Sequence, residues 1–378
     1  MIKDFFTRFR GLTIIGIGTI ISTGISGIFW LYLASLVSTE HYGEISYYLA
    51  MAGITTAISF LGAGNVLIVY TAKEIKIQPP VYFIVIILSL ITAIVLFFIN
   101  NNVYASINVI GNILFALVAC ELLGGKHYKK WAILQISQKA IMGILSIVLY
   151  NFLGVNGVIL GIGLSYFPMS IFHVIHVFKI NKIDFSLIKP RIGFITNSYS
   201  MDLARSLGSS TDKIIIVPLF GFAILGNYQL GIQILSLLVI LPGILYQYIL
   251  PHDATGTTNK KLKILSVFAS VILAVLGVIL APIIIPVLFP KFAEAVQVVQ
   301  IVSIHVIPTT INIIYASQFL AKEKSKVILI GSIIFVAVQI SMIISLGKLF
   351  GVNGIAAALV LAGISETTYL ILANKYKR

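Results

Sequence analysis

The sequence predicts an all-α polytopic membrane protein of about twelve transmembrane helices in two parallel six-helix repeats, and three observations predict it. Hydrophobic residues make up 59% of the 378 and charged residues only 10%, where soluble domains carry about 25% charged residues. Basic residues fall in every second connector, and separate stretches of the chain recur at a fixed offset. A water-soluble globule is excluded by the first observation alone.

Taken in order, apolar runs occupy 11–35, 44–72, 81–99, 105–124, 131–150, 154–178, 194–220, 224–250, 263–289, 293–321, 326–347 and 352–374. Each is long enough to cross a hydrocarbon core of about 30 Å as a helix. The first run is too long for the apolar core of a signal peptide and leads directly into further spans, so it counts as structure. No connector is long enough to fold as a soluble domain. The single cysteine, Cys120, excludes an intramolecular disulfide and a multi-cysteine metal site.

The formal charge of +14 would suggest nucleic acid in a soluble protein, but here it reports on topology, and no nucleic-acid partner is expected. Lys and Arg concentrate on the cytoplasmic side of membrane proteins. Lys3, Arg8 and Arg10 precede the first span, and the even connectors carry Lys73 and Lys76, Lys126 to Lys130, Lys179 to Arg191, Lys260 to Lys263 and Lys322 to Lys326. With Lys375, Lys377 and Arg378, 21 of the 26 basic residues lie on one side, against Lys291 and Lys348 on the other. Both termini are therefore expected in the cytoplasm of a multi-pass protein of the cytoplasmic (inner) membrane. The same parity forces the most polar stretch away from the termini, Thr196 to Lys213, through the membrane as part of the seventh span.

The internal repeat supplies the rest of the plan. Leu153-Gly-Val-Asn-Gly-Val158 matches Phe350-Gly-Val-Asn-Gly-Ile355 at a shift of 197 residues, and Ala119-Cys-Glu-Leu-Leu123 falls on Ala316-Ser-Gln-Phe-Leu320 at the same shift. Tyr42-Gly43-Glu44 matches Leu225-Gly226-Asn227 at a shift of 183, aligning the second span with the eighth. The halves are then an N-terminal lobe at 1–178, a basic linker at 179–193 and a C-terminal lobe at 194–378. Parallel repeats of this kind are a transporter architecture, with the pathway in a central cavity between the halves.

On these features the chain resembles the polysaccharide-biosynthesis branch, the O-antigen and lipid-linked oligosaccharide flippases, of the multidrug/oligosaccharidyl-lipid/polysaccharide exporter superfamily. The resemblance covers essentially the whole chain. It rests on the 6+6 plan, on Ser38-Thr-Glu-His-Tyr-Gly-Glu44 leading into the second span, on Leu61-Gly-Ala-Gly64 within it, on Asp212-Lys-Ile-Ile-Ile216, on Gly226-Asn-Tyr228 and on the paired Gly-Val-Asn-Gly turns. The connectors are short for that family. The resemblance implies a cavity lined by the first, second, seventh and eighth spans. It also implies movement of a polyprenyl-diphosphate-linked oligosaccharide between leaflets by alternating access, with membrane lipid and the glycan polymerase and glycosyltransferases of the same pathway as partners.

Asp202, Arg205, Ser209 and Asp212 follow spacings that put them on one helical face, with Lys213 beside it. Charges at membrane depth normally face a cavity or a partner. Arg205 would hold a diphosphate, since guanidinium grips phosphate oxygens in bidentate fashion; alternatively, Asp202 and Arg205 neutralise each other and join helices. Lys139 in the fifth span is a second candidate phosphate-binding cation, unless it snorkels to the interface. Glu366 and Glu121 are candidate coupling carboxylates, although Glu121 also lies near Lys126 as a salt-bridge partner. His173, His176 and His305 titrate near neutral pH in water, but a pair of histidines without an acid is weak ground for a metal, and packing or hydrogen bonding fits them better.

No P-loop, metal-binding Cys/His cluster or nucleophile elbow occurs, so no cofactor, metal or covalent chemistry is expected. Two other activities compete with the flippase reading. A multidrug or organic-cation antiporter would place acids in a predominantly negative cavity. A polyprenyl-glycan polymerase or ligase would carry catalytic residues on a substantial outer loop, and every outer connector here is short and almost uncharged.

Overall fold

The computed structural model describes residues 10–180, 182–254, 260–322 and 324–376. Every regular element among them is helical: α1 (Arg10–Leu36), α2 (Thr39–Phe60), α3 (Ala63–Ala72), α4 (Gln78–Asn100), α5 (Val103–Gly124), α6 (Tyr128–Leu153), α7 (Val155–Ser165), α8 (Phe167–Ile180), α9 (Ile192–Phe220), α10 (Phe222–Leu238), α11 (Ile240–Ala254), α12 (Lys260–Leu288), α13 (Ala295–Ile304), α14 (Val306–Ala321) and α15 (Ser325–Tyr376). Two single turns of 3₁₀ helix, Phe185–Leu187 and Lys189–Arg191, precede α9.

Several spans are pairs of helices joined at a break. The second is α2 and α3, bent by 48° where Leu61 and Gly62 take the left-handed conformation at φ 49° and 68°. The sixth joins α7 to α8, the eighth α10 to α11, and the tenth α13 to α14. Conversely, α15 holds the eleventh and twelfth spans, separated at Gly351 by a non-helical φ of 58° and ψ of −137°. Eight helices among the described residues are long and apolar enough to cross a membrane, with a ninth if α2 and α3 count together. At 29 residues α9 also has the length, but its polar middle keeps it out of that set.

The outward faces agree with a lipid solvent. The most apolar stretch of α12 has a mean hydropathy of 3.0 with only 17% of it buried, and Phe98, Phe152, Phe172 and Val287 are each at least 74% exposed. Exposed side chains of this size would be costly in water. The chain is thus a multi-pass membrane protein.

The helices pack as two compact units that are discontinuous in sequence: the chain up to Phe29 with Tyr47–Ser210, and Trp30–Ser46 with Thr211 onward. In the first unit a core built on Leu67, Tyr82, Ile113, Leu117 and Trp131 joins α3 to α8. Small residues set the approach of α7 to α6: a Cβ on Gly161 would meet the Ser146 backbone at 2.5 Å, and one on Gly157 would collide with the Leu149 carbonyl. Helices joined by small residues in this way are a recurrent membrane solution.

In the second unit Trp30 and Phe292 stack edge-on to Tyr42, which is fully buried, and Lys291 Nζ donates to the Leu36 carbonyl at 2.7 Å. The Gly-Val-Asn-Gly repeat is structural as well as sequential. Gly154 and Gly351 adopt nearly the same backbone conformation, φ 57° and ψ −135° against φ 58° and ψ −137°. Gly157 lies on the Leu149 carbonyl as Gly354 lies on the Leu346 carbonyl, and Asn102 donates to Asn156 at 3.1 Å as Asn353 donates to Gln297 at 2.5 Å.

Candidate functional site

The polar stretch Thr196 to Lys213 is helical throughout as the middle of α9. Short hydroxyl side chains make this affordable in a membrane: Thr196 and Ser200 bond back to the Ile192 and Thr196 carbonyls at 2.8 and 3.0 Å, hiding their polar groups against the helix. The first turns of α9 press on the bend in the second span, where the Ser198 Cβ would lie 2.8 Å from a Cβ on Gly62. Glycine is required there twice over, by its positive φ and by that contact.

The four residues of the polar stripe are divided between surroundings. Asp202, in the first unit, is half-buried and close enough to the Cys120 thiol of α5 to act on it electrostatically. Asp212, in the second unit, is 7% exposed and fully engaged. Its carboxylate accepts from the Tyr228 hydroxyl of α10 at 3.1 Å, from the Lys213 amide at 2.8 Å and from Lys213 Nζ at 3.3 Å. The side chains of Arg205 and Ser209 lie outside the described residues. Pro218 falls within the same helix, two turns beyond Asp212.

Lys139 has a different environment. Along α6, Tyr128, Ala132 and Gly143 touch Gly11, Gly18 and Phe29 of α1. Positions 128, 132, 139 and 143 form one helical stripe, so Lys139 lies on the face turned to α1, level with the turn holding Ser22 and Ser26. It is half-buried, and among the described residues no hydrogen bond or ion pair reaches it.

The two candidate coupling carboxylates sit in separate polar clusters. Glu121 of α5 does not pair with Lys126. Its Oε2 accepts from the Tyr82 hydroxyl of α4 at 2.5 Å and lies 3.0 Å from Nε2 of His173 in α8. His173 thus has the acidic neighbour that the sequence did not suggest. Glu366 accepts from Asn312 Nδ2 of α14 at 2.9 Å, while Thr367 donates to Asn312 Oδ1 at 2.6 Å and to the Gly363 carbonyl at 2.8 Å. His305 packs on Phe335, and its Nδ1 is buried with no hydrogen-bond partner among the described residues. No group of three or more His, Cys, Asp or Glu that could hold a metal ion occurs among the described residues.

One cluster escaped the sequence altogether. Lys263, counted with the basic connector, is a buried residue of the first turn of α12, and both its contacts to the Asp253 carboxylate of α11 are 2.7 Å. Ser317 of α14 completes the group at 2.7 Å from Asp253 Oδ2. The one available signal was an acid, Asp253, placed at the end of an apolar span and followed by three lysines.

No protein-family model matches the chain, and no curated protein matches it. Solved structures do. A lipid II flippase, MurJ, in an inward closed conformation superimposes with a TM-score of 0.78 at 14% identity, over 95% of this chain and 87% of that one. An inward-facing multidrug resistance MATE family transporter of the MOP superfamily gives 0.73 at 14% identity, covering 94% of each chain. An outward-facing MATE family transporter gives 0.56 at 12% identity, covering 97% of this chain and 95% of that one. At these identities the similarity establishes a shared fold across nearly the whole chain.

Proposed function

We propose that the protein moves a polyprenyl-diphosphate-linked oligosaccharide, such as an O-antigen or capsule repeat unit, across the cytoplasmic membrane by alternating access of its two six-span lobes, 1–178 and 194–378. The observation that carries this reading is Lys139, a cation at membrane depth with no ion pair among the described residues. Leaving it uncompensated is expensive, and an anionic substrate removes that cost on binding. A diphosphate supplies the matching charge.

Support also comes from the shared fold with a lipid II flippase. The MATE family transporters share the fold too, which keeps the organic-cation antiporter as the competing reading. That reading calls for a predominantly negative cavity, whereas the Asp212 carboxylate is matched by the Lys213 ammonium and bonded to Tyr228. In the proposed cycle Lys139 and Arg205 hold the diphosphate, with Asp202, Ser209, Asp212 and Lys213 as the polar surface around it. Glu366 or Glu121 takes the coupling ion. Both termini face the cytoplasm, and the glycosyltransferases and polymerase of the glycan's pathway act before and after translocation.

Arg205→Ala and Lys139→Ala, assayed for glycan export with protein abundance matched, are expected to reduce export at least about tenfold, the scale of one lost charge-assisted bond. Normal export in both variants would sink the phosphate contacts. Drug efflux lost in Glu366→Gln with export untouched would favour the antiporter.

A further inference from the structure

At the basic end of the first unit, two cations from separate elements converge on one aromatic ring. Arg191, at the end of the second 3₁₀ turn, places its guanidinium carbon 4.8 Å from the Tyr70 ring centre, and Lys73, at the end of α3, places its ammonium 5.8 Å from the same centre. Phe194 of α9 holds the ring edge-on at 5.7 Å. One guanidinium nitrogen of Arg191 is tied to the Leu187 carbonyl at 2.6 Å, and the remaining donors of its fork meet no acceptor among the described residues.

Among the described residues no carboxylate pairs with either cation. Glu74 is exposed and makes no ion pair, and Asp184 is occupied in capping the first 3₁₀ turn through the Ser186 amide at 2.9 Å. Among the described residues Tyr70 makes no hydrogen bond through its hydroxyl. Among the described residues, two cations and a hydroxyl in one place therefore lack an anion.

The same elements line an apolar cavity of about 260 Å³, bordered by Ala63, Val66, Val85, Ile188, Ile192 and Ile195 among others. The chain places the cations next to the residues that line this cavity. Ala63, Val66, Tyr70 and Lys73 share one stripe of α3, and Arg191 stands between Ile188 and Ile192 in sequence. An apolar cavity with paired cations on the neighbouring turns of the same elements has the polarity pattern of a lipid.

We propose that this is a binding site for an anionic phospholipid from the leaflet that borders the basic ends of the spans, with one acyl chain in the cavity and the phosphate between Lys73 and Arg191. Charge complementarity picks the anionic lipid over a zwitterionic one, whose quaternary amine would face the same two cations. The bound lipid would fasten the connector between residues 182 and 191 to α3 and α4, where Phe185 already stacks on Phe83 at 5.7 Å.

The test uses the full chain purified in detergent and incubated with phosphatidylglycerol carrying a diazirine in one acyl chain, alongside the phosphatidylcholine analogue, with labelled peptides mapped by mass spectrometry. The expected result is phosphatidylglycerol label on peptides covering 61–85 and 188–195. In Lys73→Gln/Arg191→Gln, half-saturation should rise at least about tenfold, while Lys76→Gln leaves it unchanged. Val85→Phe, which fills the cavity and keeps both cations, should lose the label while melting as the parent does. Equal labelling by phosphatidylcholine, label confined to other peptides, or displacement by inorganic phosphate alone would overturn the site. Displacement by a polyprenyl phosphate at lower concentration than phosphatidylglycerol would overturn the assignment to phospholipid.

Discussion

Gly43 of α2 and Gly226 of α10 cross at reciprocal close contact. A Cβ on Gly43 would collide with the Phe222 carbonyl, and one on Gly226 with the Thr39 carbonyl. Each glycine lies against the residue one turn before the other, so the crossing has local two-fold character, and it joins the positions that the offset of 183 residues aligns. Backbone carbonyls cannot swing aside as flexible side chains do. Gly43→Val and Gly226→Val are each expected to destabilise the protein by about 3 kcal/mol or more, at the upper end of overpacking costs, read as loss of folded protein in a detergent melt. Gly16→Ala and Gly24→Ala, where a Cβ meets nothing within 4 Å, should be neutral or stabilising by up to about 1 kcal/mol.

Gly154 and Gly351 carry a matched prediction. Their φ near 58° with ψ near −136° is open to glycine and costly for other residues. No neighbour lies within 4 Å of a Cβ at either position, so the cost is conformational alone. Gly154→Ala and Gly351→Ala should each lower stability by about 1–3 kcal/mol, and by similar amounts. Unequal losses in thermal melts would mean that the two turns bear different loads.

Lys139 separates stability from activity. Removing an uncompensated charge from membrane depth relieves a desolvation cost, so Lys139→Met should melt at or above the parent temperature while losing glycan export. Lys139→Arg should keep export. A destabilised Lys139→Met protein would instead identify the lysine as a structural element.

The Asp253, Lys263 and Ser317 cluster should behave as a buried pair. Asp253→Asn or Lys263→Met alone leaves one charge unmatched and is expected to cost about 3–5 kcal/mol, while replacing both residues by apolar ones should recover much of that loss. A double-mutant cycle on thermal unfolding measures the coupling directly.

Most of the architecture was legible because the membrane makes it so. Apolar runs of spanning length and alternating basic connectors constrain helix number and order before any contact is known, and the spans read from them coincide with the helices to within a few residues. What stayed hidden depends on contacts distant in sequence. Glu121 lies five residues from Lys126, yet it chooses Tyr82, 39 residues away, and His173, 52 away. Lys263 reads as a loop cation until Asp253 and Ser317 are seen around it. The bend at Leu61 and Gly62 was visible only as a glycine pattern, because the α9 backbone that lies against Gly62 comes from a distant part of the chain. Spacing placed Asp202 and Asp212 on one helical face, but not in a shared environment, since neighbours from other helices decide that.

Three helices pass from one compact unit to the other within their own length: α2 after Ser46 and, at the opening of each repeat, α1 after Phe29 and α9 after Ser210. The handovers in α1 and α9 come at nearly corresponding points of the two repeats. A chain severed in the connector between residues 182 and 190 would therefore give an N-terminal fragment without the start of α9 and a C-terminal fragment without Trp30–Ser46, each deprived of a segment its own packing requires. Neither fragment is then expected to fold by itself, and complementation would need both made in the same membrane.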